Sequence, residues 1–252
     1  MNIDPRVQSM LDEHPYPRLF VTISGAHLYG FPSPESDYDL RGVHLLPLRI
    51  VVGMKSKEGT YDRMSLRNGL EIDIVTQDAG KFFFSLLHRH DGCVLEHLYS
   101  PLVIETSPAH EELKAIARKC VTKNYVQHYR GFADTQWKRF YTESLPIKRL
   151  LYVYRLLLTG IHLMKTGEVE SNLARLNDNA RLPYIDGLIA RKTAGPTKGL
   201  IASNDFVFHE KEFIRLRDLL EQESRNSSLP EKPGGLDALD DLLVRVRLGS
   251  VV

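Results

Sequence analysis

One short segment of the sequence concentrates side chains that could do chemistry. It covers residues 24–41 and reads SGAHLYGFPSPESDYDLR. Asp37 and Asp39 are separated by a single residue, so on a β-strand both carboxylates point to the same face, and Arg41 continues that face. Two adjacent like charges repel each other, and burying them without compensation is costly. The spacing therefore predicts that a cation lies between the two carboxylates.

The ligand atoms indicate which cation this would be. Carboxylate oxygens with no nearby cluster of His or Cys favour Mg²⁺ or Mn²⁺ over zinc, and Mg²⁺ typically binds one or two carboxylates together with phosphate oxygens. Asp73 is the best candidate for a third acid on a neighbouring strand, although Glu71 competes for that role. Three acids would complete a site for two metal ions, one activating an attacking hydroxyl and the other holding a triphosphate.

Three predicted strands must position these side chains. They cover residues 18–24, 38–46 and 70–76, and the third strand alternates strictly between polar and apolar residues. Gly25 and Gly30 bracket a short predicted turn directly after the first strand. In such a turn, backbone N–H groups can approach a phosphate without a Cβ in the way.

The remainder of the chain has a helical pattern. From about residue 111, apolar residues recur at a spacing of three and four, which predicts amphipathic helices. The clearest of these helices cover residues 111–119, 124–142, 146–166, 211–223 and 236–248. The whole pattern predicts an α+β fold, with a mixed sheet flanked by helices in residues 1–112 and a helical domain in residues 113–252.

Charge is distributed unevenly along the chain. Residues 1–112 hold 10 basic and 16 acidic residues, whereas residues 113–165 hold 11 basic residues against only Asp134 and Glu143. So few acids leave few intrachain partners for the basic segment. This favours a polynucleotide or a triphosphate as its partner, with solvated helix faces as the alternative.

The composition excludes several other classes of protein. With 42% hydrophobic and 26% charged residues, it is typical of a globular domain. Cys93 and Cys120 have no spacing typical of a disulfide framework or a zinc site. The N-terminal sequence has no signal-peptide or anchor pattern and no apolar run is long enough to span a membrane, so we expect a cytoplasmic protein.

These motifs resemble those of a known superfamily. The order of strand, glycine turn, loop, Ser-Asp-Tyr-Asp-Leu-Arg and a third aspartate in an alternating strand is similar to that of the DNA polymerase β type nucleotidyltransferases. Within them, SGAHLYGFPSPESDYDLRGV most resembles the stand-alone bacterial and phage predicted nucleotidyltransferases, some of which are encoded beside RNA ligases. The resemblance covers about residues 19–74.

The resemblance implies a fold and an activity. The catalytic domain would be similar to the polymerase β palm, and it would transfer an NMP from an NTP to an acceptor hydroxyl with release of pyrophosphate. Two Mg²⁺ or Mn²⁺ ions would be bound. The acceptor would be an RNA end or another polynucleotide, in RNA repair or processing, with a functional link to an RNA ligase.

Individual residues take roles from the same resemblance. Asp37 and Asp39 would ligate both metal ions, and Asp73 would ligate the catalytic ion and help to deprotonate the acceptor. The sequence departs from the family at Ala26, where a serine commonly contacts phosphate. The residues expected to bind the NTP are Ser24, Gly25, Ala26, Gly30, Ser36, Arg41, Lys148, Tyr152 and Arg155.

Three alternatives remain open at this point. The same chemistry could modify a small molecule or a protein side chain. The fold could instead serve as a non-catalytic NTP-binding or antitoxin-like module. Finally, Arg41 could pair with the aspartates as a structural bridge instead of contacting phosphate.

Overall fold

The computed structural model describes residues 4–54, 58–194 and 199–249. It contains one mixed five-stranded sheet and many helices, which confirms the predicted α+β class. The strands are β1 (Arg18–Ile23), β2 (Tyr38–His44), β3 (Thr60–Arg67), β4 (Leu70–Asp78) and β5 (Val103–Glu105). The helices are α1 (Pro5–Asp12), α2 (Gly25–Tyr29), α3 (Leu48–Val52), α4 (Ala79–Phe84), α5 (Gly92–Leu98), α6 (Pro108–Ala117), α7 (Tyr125–Thr142), α8 (Ile147–Thr166), α9 (Leu173–Ala180), α10 (Pro183–Thr193), α11 (Ser203–Asn226) and α12 (Leu236–Arg247).

The sheet has the strand order β3-β4-β2-β1-β5. The β2–β4 pair is parallel, and the other three pairs are antiparallel. The three predicted strands correspond to β1, β2 and β4, whereas β3 and β5 were not predicted. β2 begins at Tyr38, as the predicted strand does, so Asp37 lies just before it and strand alternation does not place Asp37 on the face of Asp39.

One face of the sheet is covered by α1. Strand alternation explains this: Ile72 and Ile74 of β4 are fully buried in a cluster with α1, while Glu71 and Asp73 point to the opposite face. The other buried members of that cluster are Val7, Met10, Leu11, Val21, Ile23 and Leu40. The acids thus lie on the sheet face that α1 leaves uncovered.

The chain packs as two compact units. The first, here called the sheet unit, consists of Met1–Leu28, Asp37–Val121 and Lys232–Val252. The second, the helical unit, consists of Tyr29–Ser36 and Thr122–Glu231. This division differs from a single boundary at residue 112, since a short early segment packs with the helices and the C-terminal helix packs with the sheet.

The helical unit is organised around α8. This helix has 20 residues, most of its side chains are buried, and it ends at Gly167, whose φ of +74° gives the left-handed C-cap that glycine favours. The region after Leu182, which sequence patterns did not resolve, contributes α10. Among the described residues, no helix combines the length and hydropathy needed to cross a bilayer.

Candidate active site

Two of the predicted catalytic acids face each other across neighbouring strands. In the parallel β2–β4 pair, Asp39 lies directly opposite Asp73. Opposed residues point to the same face of a sheet, so the two carboxylates share one face. The register thereby selects Asp73 over Glu71 as the acid beside Asp39. Asp37 immediately precedes β2 and is half-buried.

Arg41 joins these two acids. Its Nη2 donates to Oδ1 of Asp39 at 2.8 Å and to Oδ2 of Asp73 at 2.9 Å. Its Nη1 donates to the backbone carbonyls of Leu40 at 2.9 Å and Asp73 at 3.2 Å. Each of the three charged side chains is 20% exposed. The guanidinium therefore supplies positive charge between two acids, although the pair it bridges is Asp39–Asp73, not Asp37–Asp39.

Gly25 allows the backbone to approach the Asp39 carboxylate closely. A Cβ on Gly25 would lie 1.9 Å from Oδ2 of Asp39, and the φ of +61° is itself one that glycine favours. The backbone N–H of Ser24 donates to the carbonyl of Asp39 at 2.7 Å. The predicted turn after β1 is in fact the short helix α2, which begins at Gly25. Because Ala26 is buried, its methyl group packs inside the sheet unit.

Two of the predicted NTP-binding residues belong to the helical unit through the segment 29–36. At Gly30, a Cβ would lie 2.4 Å from Oδ1 of Asn172, so this close approach requires glycine. The hydroxyl of Ser36 accepts from the backbone N–H of Ser33 at 2.9 Å. Nζ of the buried Lys192 donates to the Ser33 hydroxyl at 2.9 Å. This segment is therefore held by contacts within the helical unit.

The three predicted contacts on α8 differ in exposure. Lys148 is exposed and Tyr152 is half-buried. Arg155 is 1% exposed, and its guanidinium lies 4.0 Å from the centre of the Tyr29 ring. A buried cation over an aromatic face is a stabilising contact. Arg155 thus packs inside the helical unit, whereas Lys148 is the exposed member of the three.

The donor chemistry of two acids fits a hard divalent cation. Asp39 and Asp73 offer opposed oxygen donors, which suit Mg²⁺ or Mn²⁺. The ligand atoms of Asp37, Asp39 and Asp73 do not all lie within 4.8 Å of one another, so the structure does not bring Asp37 into the predicted three-acid cluster. The close approach of Gly25 keeps the backbone against Asp39 and leaves no room for a side chain there. In this structure Arg41 provides the positive charge that the two opposed carboxylates require.

The basic segment has more intrachain partners than its sequence indicated. Five of its basic residues form ion pairs with acids, four of which lie outside residues 113–165. The pairs are Lys114–Glu111, Lys123–Glu231, Arg130–Glu221, Arg149–Glu143 and Lys165–Glu223. The expectation of few partners was therefore wrong for these five, because a count within one segment does not include acids that folding brings near.

Sequence patterns also missed a strand beside the acids. Met64 of β3 lies opposite Asp73 in the antiparallel β3–β4 pair. The connection between these strands is Asn68-Gly69, with φ values of +46° and +78°. An Asn-Gly pair between two alternating segments is the strongest short-range signal of a β-hairpin, and it could have predicted β3.

The sequence of the chain is similar to those of known proteins. A model of the RlaP family, described as the RNA repair pathway DNA polymerase beta family, matches residues 2–245. The uncharacterized protein MJ0002 of Methanocaldococcus jannaschii is 35% identical over 160 residues, which make up 62% of this chain and 64% of that relative. The matched part is thus less than two thirds of the relative. The family match confirms the resemblance drawn from the motifs.

Proposed function

Because the chain belongs to the RNA repair pathway DNA polymerase beta family, we propose that it is a metal-dependent nucleotidyltransferase. It transfers an NMP from an NTP to an acceptor hydroxyl and releases pyrophosphate. The observation that supports this most strongly is the pairing of Asp39 with Asp73 across parallel strands, on the sheet face opposite α1. The proposed acceptor is an RNA end or another polynucleotide.

The acids have separate roles in this proposal. Asp37, Asp39 and Asp73 would hold Mg²⁺ or Mn²⁺. When bound, such ions neutralise the charge that develops on the transferred phosphoryl group and activate the attacking hydroxyl. Asp73 lies on β4, apart from the Asp37–Asp39 pair, and receives the proton of the acceptor hydroxyl.

The NTP is bound by residues around the first strand and by exposed basic groups. Gly25 has no side chain, so the phosphates of the NTP could approach the backbone there. Arg41 donates to Asp39, one of the acids near which these phosphates would lie. If Arg41 contacts the NTP, a phosphate oxygen would accept from one of its five guanidinium N–H groups. Its fork of donors suits either partner.

Exposed basic residues support a polyanionic acceptor. Lys138 and Arg139 on α7 and Lys148 on α8 are exposed within the helical unit. Their positive charge would attract phosphate groups, and such attraction weakens as salt rises. A small acceptor would show little of this dependence.

Transfer of labelled nucleotides tests the proposal. The protein is incubated with each α-labelled NTP, with Mg²⁺ or Mn²⁺, and with RNA, DNA or no acceptor. We expect label on a polynucleotide with the wild type and none with Asp39→Asn. The matched control is Asp12→Asn, an exposed acid on α1, which covers the opposite face of the sheet. Undiminished transfer by Asp39→Asn would contradict the proposal.

Two further results would identify the alternatives. Acceptor affinity that is unchanged between about 50 mM and about 200 mM salt would point to a small acceptor, since counterion release accompanies phosphate backbones. Tight NTP binding without transfer to any acceptor would point to a non-catalytic nucleotide-binding module.

A further inference from the structure

The edge strand β3 carries two apolar residues on the face of the sheet that holds the acids. Met64 lies opposite Asp73, and Leu66 lies opposite Glu71. Directly opposed residues have Cβ atoms only about 4.5–5.5 Å apart, on the same face. Met64 and Leu66 are therefore immediate neighbours of the proposed catalytic acid and of the acid next to it.

Contacts on the other face of β3 confirm this orientation. Arg63 pairs with Glu13 at 2.7 Å, and Arg67 pairs with the same carboxylate at 2.8 Å. Arg67 also lies 3.4 Å from Sδ of Met10 in α1. Because side chains alternate along a strand, Met64 and Leu66 point away from α1.

Both apolar side chains are open to solvent. Met64 is 67% exposed and Leu66 is 73% exposed. Single exposed apolar residues are ordinary, but two on one face of an edge strand favour unwanted pairing with other chains. A ligand that covers Met64 and Leu66 when it binds would explain why these two apolar side chains are exposed.

The charges on the same face indicate what that contact is. Asp62 lies opposite Val75 and shares the face with Glu71 and Asp73. Asp62 and Glu71, the two acids on this face that Arg41 does not contact, repel phosphate groups, whereas an uncharged nucleobase meets no such repulsion. Thioether and aliphatic side chains offer apolar surface to a planar ring.

We propose that Met64 and Leu66 form the surface on which the terminal base of the acceptor polynucleotide lies, with its sugar hydroxyl directed to Asp73. This inference rests on the proposed function. Recognition of the acceptor would then include a contact between its last base and β3.

The test uses variants of the full-length protein and two RNAs. Met64→Thr/Leu66→Thr removes most of the apolar surface but keeps residues that favour strands. The matched control is Val52→Thr on α3, a residue that is 73% exposed and lies outside the β3 surface. The probes are a fluorescent single-stranded RNA of about 12 nucleotides and the same RNA with an abasic 3′ terminal residue. Affinity is measured by anisotropy with Mg²⁺ and a non-hydrolysable NTP.

We expect the double variant to bind the complete RNA about tenfold more weakly than the wild type does, as loss of one base contact predicts. The wild type should bind the abasic RNA about as weakly, and the double variant should not distinguish the two RNAs. The KM for the NTP should stay unchanged. The control should behave as the wild type.

Several outcomes would overturn the inference. One is that the double variant binds the complete RNA as tightly as the wild type does. Another is that the double substitution weakens binding of the complete RNA and of the abasic RNA equally. A wild-type dimer that becomes a monomer in the double variant would assign the β3 surface to a second copy of the chain. If the wild type transfers NMP while any of these results holds, only the β3 inference fails. If the wild type neither binds RNA nor transfers NMP, the proposed function fails as well.

Discussion

Asp73 and Asp78 lie on the same strand, and each is paired with an arginine, but their surroundings differ. Asp78 accepts hydrogen bonds from the backbone N–H groups of Leu46 at 3.0 Å and Gly80 at 3.1 Å, and it pairs with Arg247 of the C-terminal helix. The Arg247 and Asp78 side chains are 8% and 9% exposed. Asp73 instead shares Arg41 with another acid and is 20% exposed.

An ion pair alone does not reveal the role of an aspartate. The oxygens of Asp78 are occupied by donors from three different segments, so this residue fixes the backbone and the C-terminal helix in place. The carboxylate of Asp73 lies opposite a second carboxylate and shares one arginine with it. Asp73 is thus more exposed than Asp78 and accepts from a donor that a second acid also uses.

The largest expected effect comes from Asp73→Asn. It should lower NMP transfer by about 10³-fold, because it removes charge that the reaction requires. The free energy of unfolding should change by less than about 1 kcal/mol, since the carboxylate is partly exposed and shares its partner. Transfer assays and urea denaturation measure the two effects. A loss of stability that matches the loss of activity would make Asp73 a structural residue.

Asp78→Ala should show the reverse pattern. Removing one member of a buried ion pair leaves Arg247 without its carboxylate, so the free energy of unfolding should fall by about 3 kcal/mol. Transfer per folded molecule should stay unchanged. As a control, Arg245→Ala removes partly exposed pairs with Glu112 and Asp241 and should cost less than about 1 kcal/mol. Equal losses in the two variants would contradict this account of Asp78.

A buried histidine in the sheet unit gives a pH-dependent effect. Burial lowers the pKa of His110 from 6.5 to about 4. Its ring stacks on Phe20 and contacts the Thr106 hydroxyl and the carbonyl of Leu98. Between these pKa values the unfolded chain binds more protons than the folded chain, so stability falls on acidification.

His110→Gln should remove that pH dependence. In the wild type, acidification from about pH 7 to about pH 5 should lower the free energy of unfolding by about 2 kcal/mol through this group. Denaturation at both pH values measures the difference. The variant is compared with itself across pH, which separates the protonation effect from its lower overall stability. If the free energy of unfolding depends on pH as strongly in the variant as in the wild type, His110 does not cause that dependence.

The smallest effect concerns Arg41. In Arg41→Gln, Mn²⁺ should bind about fivefold more tightly, because a positive charge no longer competes for Asp39 and Asp73. Transfer activity should nevertheless fall, since the acids lose their common partner. Calorimetric titration with Mn²⁺ measures the affinity, and Arg63→Gln on the opposite face of the sheet is the control. Weaker Mn²⁺ binding would show that Arg41 prepares the site instead of competing for it.

Much of the site could be predicted from local sequence. The spacing of Asp39 and Arg41 places both on one strand face, and the alternation around Asp73 does the same on β4. Asp78 caps α4 by accepting from the Gly80 N–H, a role that aspartate commonly takes at the start of a helix. These features depend on residues close together in the chain.

Other parts of the site could not be predicted in this way. The glycine turn is the helix α2, and β3 was overlooked although the Asn68-Gly69 turn is a local signal of its hairpin with β4. The ion pairs of Arg130 and Lys165 involve acids of α11 that are distant in sequence. Contacts between segments that are distant in sequence produce no periodic pattern of residue types within either segment.

Residue order alone indicates the period-two spacing of the acids and the change from strand to helical patterns, because backbone geometry fixes which neighbouring residues share a face. Folding adds what this spacing leaves open: Asp73, and not Glu71, faces Asp39, Arg41 joins the two acids, and Met64 lies opposite Asp73. A register shift of one residue would turn every side chain of a strand to the other face, and register is set by pairing between strands that are far apart in the chain.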